Sequence, residues 1–520
     1  MVERRTSPYN APDDADIEAL RALLAQRERR IDELEGELAA LKQGPDKIPA
    51  TPILRRAALA ADAVAQRLTP AARIMQRCVV ATANAVSSTG WFLIAALVIQ
   101  LPLVLNLGYF NHDELQWLAQ ADQPSLEQVP WSAWFDFQPF QFRPLTFNLW
   151  LLVSHFFGYQ PFVMHLLRVL CGIMVALLLR AVFVRMDMPA RRSALAALFF
   201  LLLPEVAFTH AWIGTYADSL CLGFALCAML WTLRAPGSLL AVAPPIALIT
   251  ALALLSKESA IVIPALLLVA AFKRRDRALI IAIASSALVV AAYLYLRLDT
   301  ILFSPRDSGG YAWSLRNIPD RLGEYAIFPF LFDRLDASGS RWDHHLYFAV
   351  ACLGVFLAAL ATAGWRYFAA LCVGWIGAMG PTLILAYSAN HYAYISAAFA
   401  CGLVALAWDR LRMTARFAIA GLLVVASVHG VEVGKQMRHI GRVQHHLYKD
   451  LVVLVPQSLD VIRIKPERIQ EEFILLRVLH AVPSYHRIPF GDRVIALPHA
   501  GGSDRPTYLM AGDGRLVRPH

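Results

Sequence analysis

The sequence predicts an all-α polytopic membrane protein, and three observations predict it. Of 520 residues, 58% are hydrophobic and the mean hydropathy is +0.49, more apolar surface than a water-soluble core of that size hides. The apolar runs are mostly about 17 to 25 residues long, the length that crosses a hydrocarbon core as helix. The alternating apolar and polar strands of an outer-membrane barrel are absent.

A formal charge of +9 raises the question of nucleic acid, but the basic residues sit in short clusters beside apolar runs and set orientation instead. Arg180, Arg185, Arg191 and Arg192 follow one run; Lys273, Arg274, Arg275 and Arg277 follow another; Arg410, Arg412 and Arg416 follow a third. The positive-inside asymmetry puts all three on the cytoplasmic side. The seven cysteines lie in or beside apolar segments, with neither a disulfide framework nor metal-ligand spacing. The first apolar run starts too far along the chain for a cleaved signal and is expected to remain as an anchor.

Residues 1–50 carry Ile17, Leu20, Leu24, Ile31, Leu34, Leu38 and Leu41 in heptad positions broken once by Arg27, which predicts a short cytoplasmic coiled coil and self-association. A lone amphipathic helix against the membrane or another subunit is the alternative. Pro45, Pro49 and Pro52 end that helix. Residues 51–90 mix apolar residues with Arg55, Arg56, Arg67, Arg73 and Arg77, as a helix lying on an anionic membrane surface does.

Within 91–433, spans are expected at Trp91–Tyr109, Phe162–Val184, Ala194–Thr209, Ala217–Leu233, Leu239–Leu255, Ala260–Phe272, Ala278–Leu296, Leu346–Ala363, Phe368–Tyr387, Tyr392–Trp408 and Phe417–Val433. That makes about eleven crossings, with the N-terminus cytoplasmic and the C-terminus outside. The large extracytoplasmic segments are then 111–161, 297–345 and the tail 434–520. Pro144–Gly158 reads as an aromatic helix lying in the interface. In the tail, Leu451–Val455 and Val461–Ile464 read as strands and Glu467–Leu479 as a helix, a small α/β unit.

The candidate chemistry begins at Asp113 and Glu114, just after the first apolar run. Charged side chains at a bilayer edge are costly, so a pair that stays there marks a functional site. A carboxylate there is a general base, a metal ligand or half of an ion pair. Arg143 carries a guanidinium at the interface, suited to bidentate binding of a lipid phosphate.

These residues resemble the GT-C membrane glycosyltransferases, in particular the protein O-mannosyltransferase-like and aminoarabinose-transferase-like branches. The resemblance rests on Asp113-Glu114, then Arg143-Pro144, then Phe157-Gly158 in that order. It continues with Pro161 through His165, Trp212-Ile213-Gly214 through Asp218, Ser256-Lys257-Glu258 with Pro264, and Asn390-His391-Tyr392-Ala393-Tyr394-Ile395-Ser396. It covers roughly Trp91 to Trp408. His391 stands where the family usually has Arg, Ile395 and Ala397 interrupt its Tyr-x-Pro-Ser pattern, and Arg168 replaces an Asn.

The resemblance implies a GT-C-like arrangement of the spans and an inverting transfer of sugar from a polyprenyl-phosphate donor to an extracytoplasmic acceptor hydroxyl on a glycan, lipid or protein. Asp113 is then the catalytic base, assisted by Glu114, and Arg143 and Lys257 meet the donor phosphate. Asp218, Glu258, His165, His391 and Tyr394 line the cavity, with Lys257 and Glu258 as an ion pair. The alternatives are a transporter or flippase for a lipid-linked glycan, and a scaffold of a polysaccharide synthesis complex. No cofactor is expected; a divalent metal is compatible with the superfamily but not favoured, since no third carboxylate converges and His344-His345 and His445-His446 lack a third ligand. The expected location is the inner or plasma membrane.

Overall fold

The computed structural model describes residues 89–303, 312–332, 334–335, 344–499 and 505–519, all within one compact unit, Ala81–His520. The expected coiled coil and nearly all of the basic segment 51–90 lie outside the described residues.

The chain is an integral membrane protein built of α1 (Thr89–Val104), α2 (His112–Ala121), α3 (Pro144–Phe157), α4 (Pro161–Arg185), α5 (Ala190–Leu202), α6 (Pro204–Ala211), α7 (Tyr216–Arg234) and α8 (Leu239–Ser256). These are followed by α9 (Ile263–Leu267), α10 (Arg277–Leu296), α11 (Leu298–Phe303), α12 (Ile318–Ile327), α13 (His344–Ala361), α14 (Trp365–Met379), α15 (Tyr394–Ala407), α16 (Met413–Gln457) and, in the tail, α17 (Ile469–Leu479). Among the described residues, eight helical segments are long and apolar enough to cross a membrane, and nine if the bent pair α5 and α6 makes one span. The other two expected spans coincide with shorter apolar helices, Thr89–Val104 and Glu258–Ala271. Each predicted run therefore meets an apolar helix, while fewer than eleven pass on length.

The bend of 64° between α5 and α6 sits at Pro204. Its ring removes a donor and clashes with the preceding turn, and Leu203 is accordingly extended at ψ 145. Gly430 of α16 packs so tightly against the Leu202 carbonyl there that a Cβ has no room. The fold brings the break and the long helix together at a position only glycine fills.

The helix α16 runs 45 residues, roughly 68 Å at the α-helical rise, well past a hydrocarbon core. Its buried residues Met437, Ile440, Gln444, Leu447, Leu451 and Val455 recur at three- and four-residue spacing. This corrects the reading of Leu451–Val455 as a strand: a short apolar window taken alone lost the helical period that precedes it.

Beyond α16, the tail holds β1 (Ile462–Pro466), β2 (Ser484–Tyr485), β3 (Ile488–Pro489), β4 (Val494–Ala496), β5 (Tyr508–Met510) and β6 (Leu516–Val517) with α17. The sheet order is β4-β1-β5-β6, with β1 parallel to β4 and β5 (Ile464 opposite Ala496 and Tyr508) and β6 antiparallel to β5. Strands β2 and β3 form a separate hairpin whose turn residues, His486 and Arg487, both have positive φ, 50° and 61°. Two non-glycine residues in that region are strained, and outside contacts described below hold them.

Candidate active site

The helix α2 begins with a capping box, in which Asn111 and Glu114 satisfy each other's main-chain donors. Glu114 does more than cap. Its Oε2 accepts the N–H groups of Phe110 at 2.7 Å and Asn111 at 2.9 Å, and its Oε1 accepts those of Ile213 at 2.7 Å and Gly214 at 3.3 Å. The side chain is 1% exposed and has four main-chain donors on two oxygens. Burial and the neighbouring Asp113 carboxylate push its carboxyl up to about 8, against those amides, which favour the charged form. This geometry makes Glu114 the clamp joining two loops and leaves its carboxylate no lone pair suitably placed for an acceptor.

Asp113 occupies the second turn position of the same helix start and is half-buried. Its Oδ1 accepts the N–H of Glu114 at 2.8 Å. Its Oδ2 faces Gly214, where a Cβ would stand 3.5 Å away and 2.8 Å from the Trp212 indole nitrogen. Gly214 thus lets the turn pack directly against the indole, where a side chain would clash. Desolvation raises the Asp113 carboxyl to about 6, against the Glu114 amide, the Arg477 guanidinium and the Trp212 indole, which hold it down. A carboxylate at that value has the properties of a general base.

On the other side of Trp212 stands His391, its ring 5.2 Å from the indole and nearly perpendicular to it, with Phe208 stacked at 6.5 Å. The charged groups acting on His391 are Asp218, Lys257 and Arg143. Lys257 follows the last turn of α8 and is 3% exposed; its ammonium pairs with Asp218 of α7 and lies 5.1 Å over the Tyr392 ring. Arg143, which caps α3 ahead of Pro144, donates from Nε to Glu258 Oε2 at 2.7 Å. Thr146 ties α3 to the end of α8 through the Ser256 carbonyl at 2.9 Å. The expected Lys257–Glu258 pair is therefore replaced by two crossed pairs: in an extended stretch, Lys257 at φ −160, neighbouring side chains point to opposite sides.

Asp113 and His391 thus both lie against Trp212, with Asp218, Lys257 and Arg143 acting on His391 and Glu258 paired with Arg143. His165 and Tyr394 do not. His165 is fully buried, its Nε2 paired with the Gly108 carbonyl at 2.9 Å and its ring stacked on Tyr109. Tyr394 is fully buried, its hydroxyl bonded to His210 at 2.8 Å and Ser219 at 3.3 Å. Both rings are packed among the helices rather than against Trp212.

Sequence reasoning gave no role to Arg168, Arg297 or Arg477. Arg168 is fully buried and donates to the Thr209 carbonyl at 2.8 Å, Ser219 Oγ at 2.9 Å and Thr215 Oγ1 at 3.3 Å, which sets the Trp212–Thr215 turn. An arginine inside an apolar helix of 25 residues was itself the signal. Arg477 comes from α17: its guanidinium lies 3.9 Å over the Phe110 ring, and its carbonyl meets His112 Nδ1 at 3.2 Å. No sequence pattern marks it, since the α17 docking is a tertiary event.

The tail is anchored a second time. The Asp122 carboxylate accepts from Tyr159 OH at 2.5 Å, the Arg487 N–H at 2.9 Å and Arg487 Nε at 3.3 Å, while the His486 ring stacks on Tyr159 at 3.7 Å. These contacts hold the strained β2–β3 turn. Of the aromatic residues in the segment 297–345, Trp313 is exposed and Tyr325 is fully buried, while Tyr311 and Trp342 lie outside the described residues.

No family model and no curated protein matches the chain. Among solved structures, Archaeoglobus fulgidus oligosaccharyltransferase tethered with an acceptor peptide superposes at 13% identity and a TM-score of 0.39, covering 78% of this chain and 64% of that one. The apo form of the same enzyme gives 13% and 0.42, with 65% of its chain covered. The chain thus spans less than two thirds of that enzyme's length. ArnT from Cupriavidus metallidurans in the apo state gives 16% identity and a TM-score of 0.44 over 80% of this chain and 86% of that one. Those two proteins are what the chain is similar to among these structures.

Proposed function

We propose that the chain is a GT-C-type glycosyltransferase that moves a sugar from a polyprenyl-phosphate donor to an acceptor hydroxyl. The observation that carries this reading is Asp113: a half-buried carboxylate raised to about 6 beside the Trp212 indole, whose neighbour His391 lies in the field of Arg143 and Lys257. The ordered motifs of the sequence support it independently. An acceptor O–H attacks the anomeric carbon, Asp113 takes the proton, and the bond from that carbon to the phosphate oxygen breaks, leaving polyprenyl phosphate. The leaving phosphate gathers charge and needs preorganised cations, the role of Arg143 and Lys257. Attack opposite the leaving oxygen inverts the anomeric centre. Glu114 serves by fixing Asp113 and the Trp212–Gly214 turn.

The orientation follows from the basic clusters: N-terminus cytoplasmic, site and tail extracytoplasmic, in an inner or plasma membrane. The N-terminal heptads fit self-association. The acceptor is a glycan, lipid or protein.

The test is donor cleavage by the full chain in vesicles with a lipid-phosphate sugar labelled in the sugar. Release of unlabelled polyprenyl phosphate together with an acceptor-linked sugar of opposite anomeric configuration is expected. Movement of intact donor across the bilayer without cleavage would establish a flippase instead.

A further inference from the structure

The two cations assigned to the donor phosphate each already face a carboxylate, Glu258 for Arg143 and Asp218 for Lys257. A phosphate bound there alone would meet two neutralised pairs. Arg297, the residue that closes α10, is different. It is 2% exposed, and among the described residues no carboxylate pairs with it. Its Nη2 donates to the Phe140 carbonyl at 2.7 Å, while Nε and Nη1 are buried and make no hydrogen bond. The Tyr293 hydroxyl beside it has only the Arg297 guanidinium within reach, and Glu258 Oε1 is a buried acceptor without a partner.

These orphaned atoms belong to one place. The Arg297 guanidinium lies 5.6 Å over the Phe142 ring and 5.8 Å over the Tyr293 ring, and Phe142 immediately precedes Arg143. Tyr293 in turn has Glu258, Arg297 and Arg143 as its charged neighbours. A buried charge is costly unless it is paired, and buried polar groups are otherwise almost always bonded. A guanidinium whose remaining donors reach at most a phenol, beside an Arg–Glu pair, suits a multiply accepting anion. A carboxylate offers two oxygens; a phosphomonoester, such as the polyprenyl phosphate left after transfer, offers three and matches the guanidinium fork.

We propose that Arg297, with Tyr293, forms a phosphate-binding subsite that supplies the uncompensated positive charge of the active site. The inference rests on the donor chemistry proposed above but is tested apart from it. The ligand is the phosphate of a lipid headgroup or inorganic phosphate, and binding distinguishes the two. Glu258 then serves to hold Arg143 in place beside the anion.

The experiment measures equilibrium binding to the full chain in nanodiscs with three probes: a polyprenyl monophosphate, the matching polyprenol, and inorganic phosphate. Arg297→Gln is expected to weaken polyprenyl monophosphate by about tenfold or more, the scale of losing charged hydrogen bonds, with polyprenol unchanged. Arg297→Lys recovers part of the affinity, and Tyr293→Phe, which keeps the ring packing, weakens it less than Arg297→Gln. If inorganic phosphate weakens in parallel, the subsite reads phosphate alone; if only the lipid weakens, it reads a headgroup held by its chain. Wild-type affinity of both Arg297→Gln and Tyr293→Phe for both phosphates overturns the proposal, as does an equal loss for polyprenol. Where Arg297→Gln fails to fold, Arg297→Lys and Tyr293→Phe decide by the same criterion. Arg297-dependent phosphate binding without any sugar transfer leaves this subsite standing and the proposed reaction refuted.

Discussion

Glu114 Oε1 accepts the main-chain N–H of Ile213 at 2.7 Å, across 99 residues of chain. That bond, with the three other amides on the same carboxylate, couples the loop after α1 to the turn before α7. Removing the carboxylate strands buried donors, each worth about 1–3 kcal/mol when orphaned. Glu114→Ala is therefore expected to lower stability by about 3 kcal/mol or more, and Glu114→Gln by less, since one amide oxygen still accepts. Thermal unfolding of the detergent-solubilised full chain measures both; an unchanged Tm for Glu114→Ala contradicts the clamp.

Asp113 behaves oppositely. Its folded carboxyl is raised to about 6, above the ordinary carboxylate value, so the folded state binds the proton more tightly than the unfolded one. Ionising it costs stability at pH above 6; the cost fades as pH falls from about 6 to about 4 and is gone below that, where both states are protonated. Asp113→Asn, whose amide oxygen still accepts the Glu114 N–H, is expected to raise Tm at pH 8 and to leave it unchanged at pH 4. A higher Tm that persists at pH 4 would point to packing rather than charge.

Arg477 favours the charged form of Asp113. Arg477→Met is expected to move the acidic limb of any transfer activity to higher pH, and Arg477→Lys to restore it. Here the readout is the midpoint of activity against pH, in which loss of folded protein changes the amplitude and not the position.

The Lys257–Asp218 pair is almost fully buried. Breaking it from one side leaves an unpaired charge, a loss of about 3–5 kcal/mol. Lys257→Met and Asp218→Leu are each expected to destabilise strongly, and the double variant to be more stable than either. Additive losses in denaturant unfolding would show the two residues to be uncoupled.

Asp122 holds the tail through Tyr159 and Arg487. With it removed, the strained His486–Arg487 turn loses its outside support. Asp122→Ala is expected to increase hydrogen exchange across 484–490 by about tenfold, while the α7–α8 pair keeps its protection. Uniform exchange across the chain would instead indicate global unfolding.

The helices were legible because each crossing must satisfy its own main chain and shows as an apolar run of fixed length. Arg143-Pro144 marked the start of α3 for a local reason, proline at the first helical position. The acidic pair was legible as a site, but the division of labour inside it was not: Glu114 became the clamp because Ile213 and Gly214 approach it from far along the chain. The same holds for the crossed ion pairs and for Arg477, which depend on how α3, α7, α8 and α17 meet. Leu451–Val455 was misread for a different reason, a window too short to reveal the helix it ends.

The central claim is that Asp113 removes a proton from a sugar acceptor. Transfer of radiolabelled sugar from polyprenyl-phosphate donors, in membranes carrying equal amounts of folded wild type, Asp113→Asn or Arg143→Ala, measures it directly. The account predicts transfer by the wild type, loss by at least about a hundredfold in Asp113→Asn, and a marked loss in Arg143→Ala. Wild-type transfer by Asp113→Asn would contradict it.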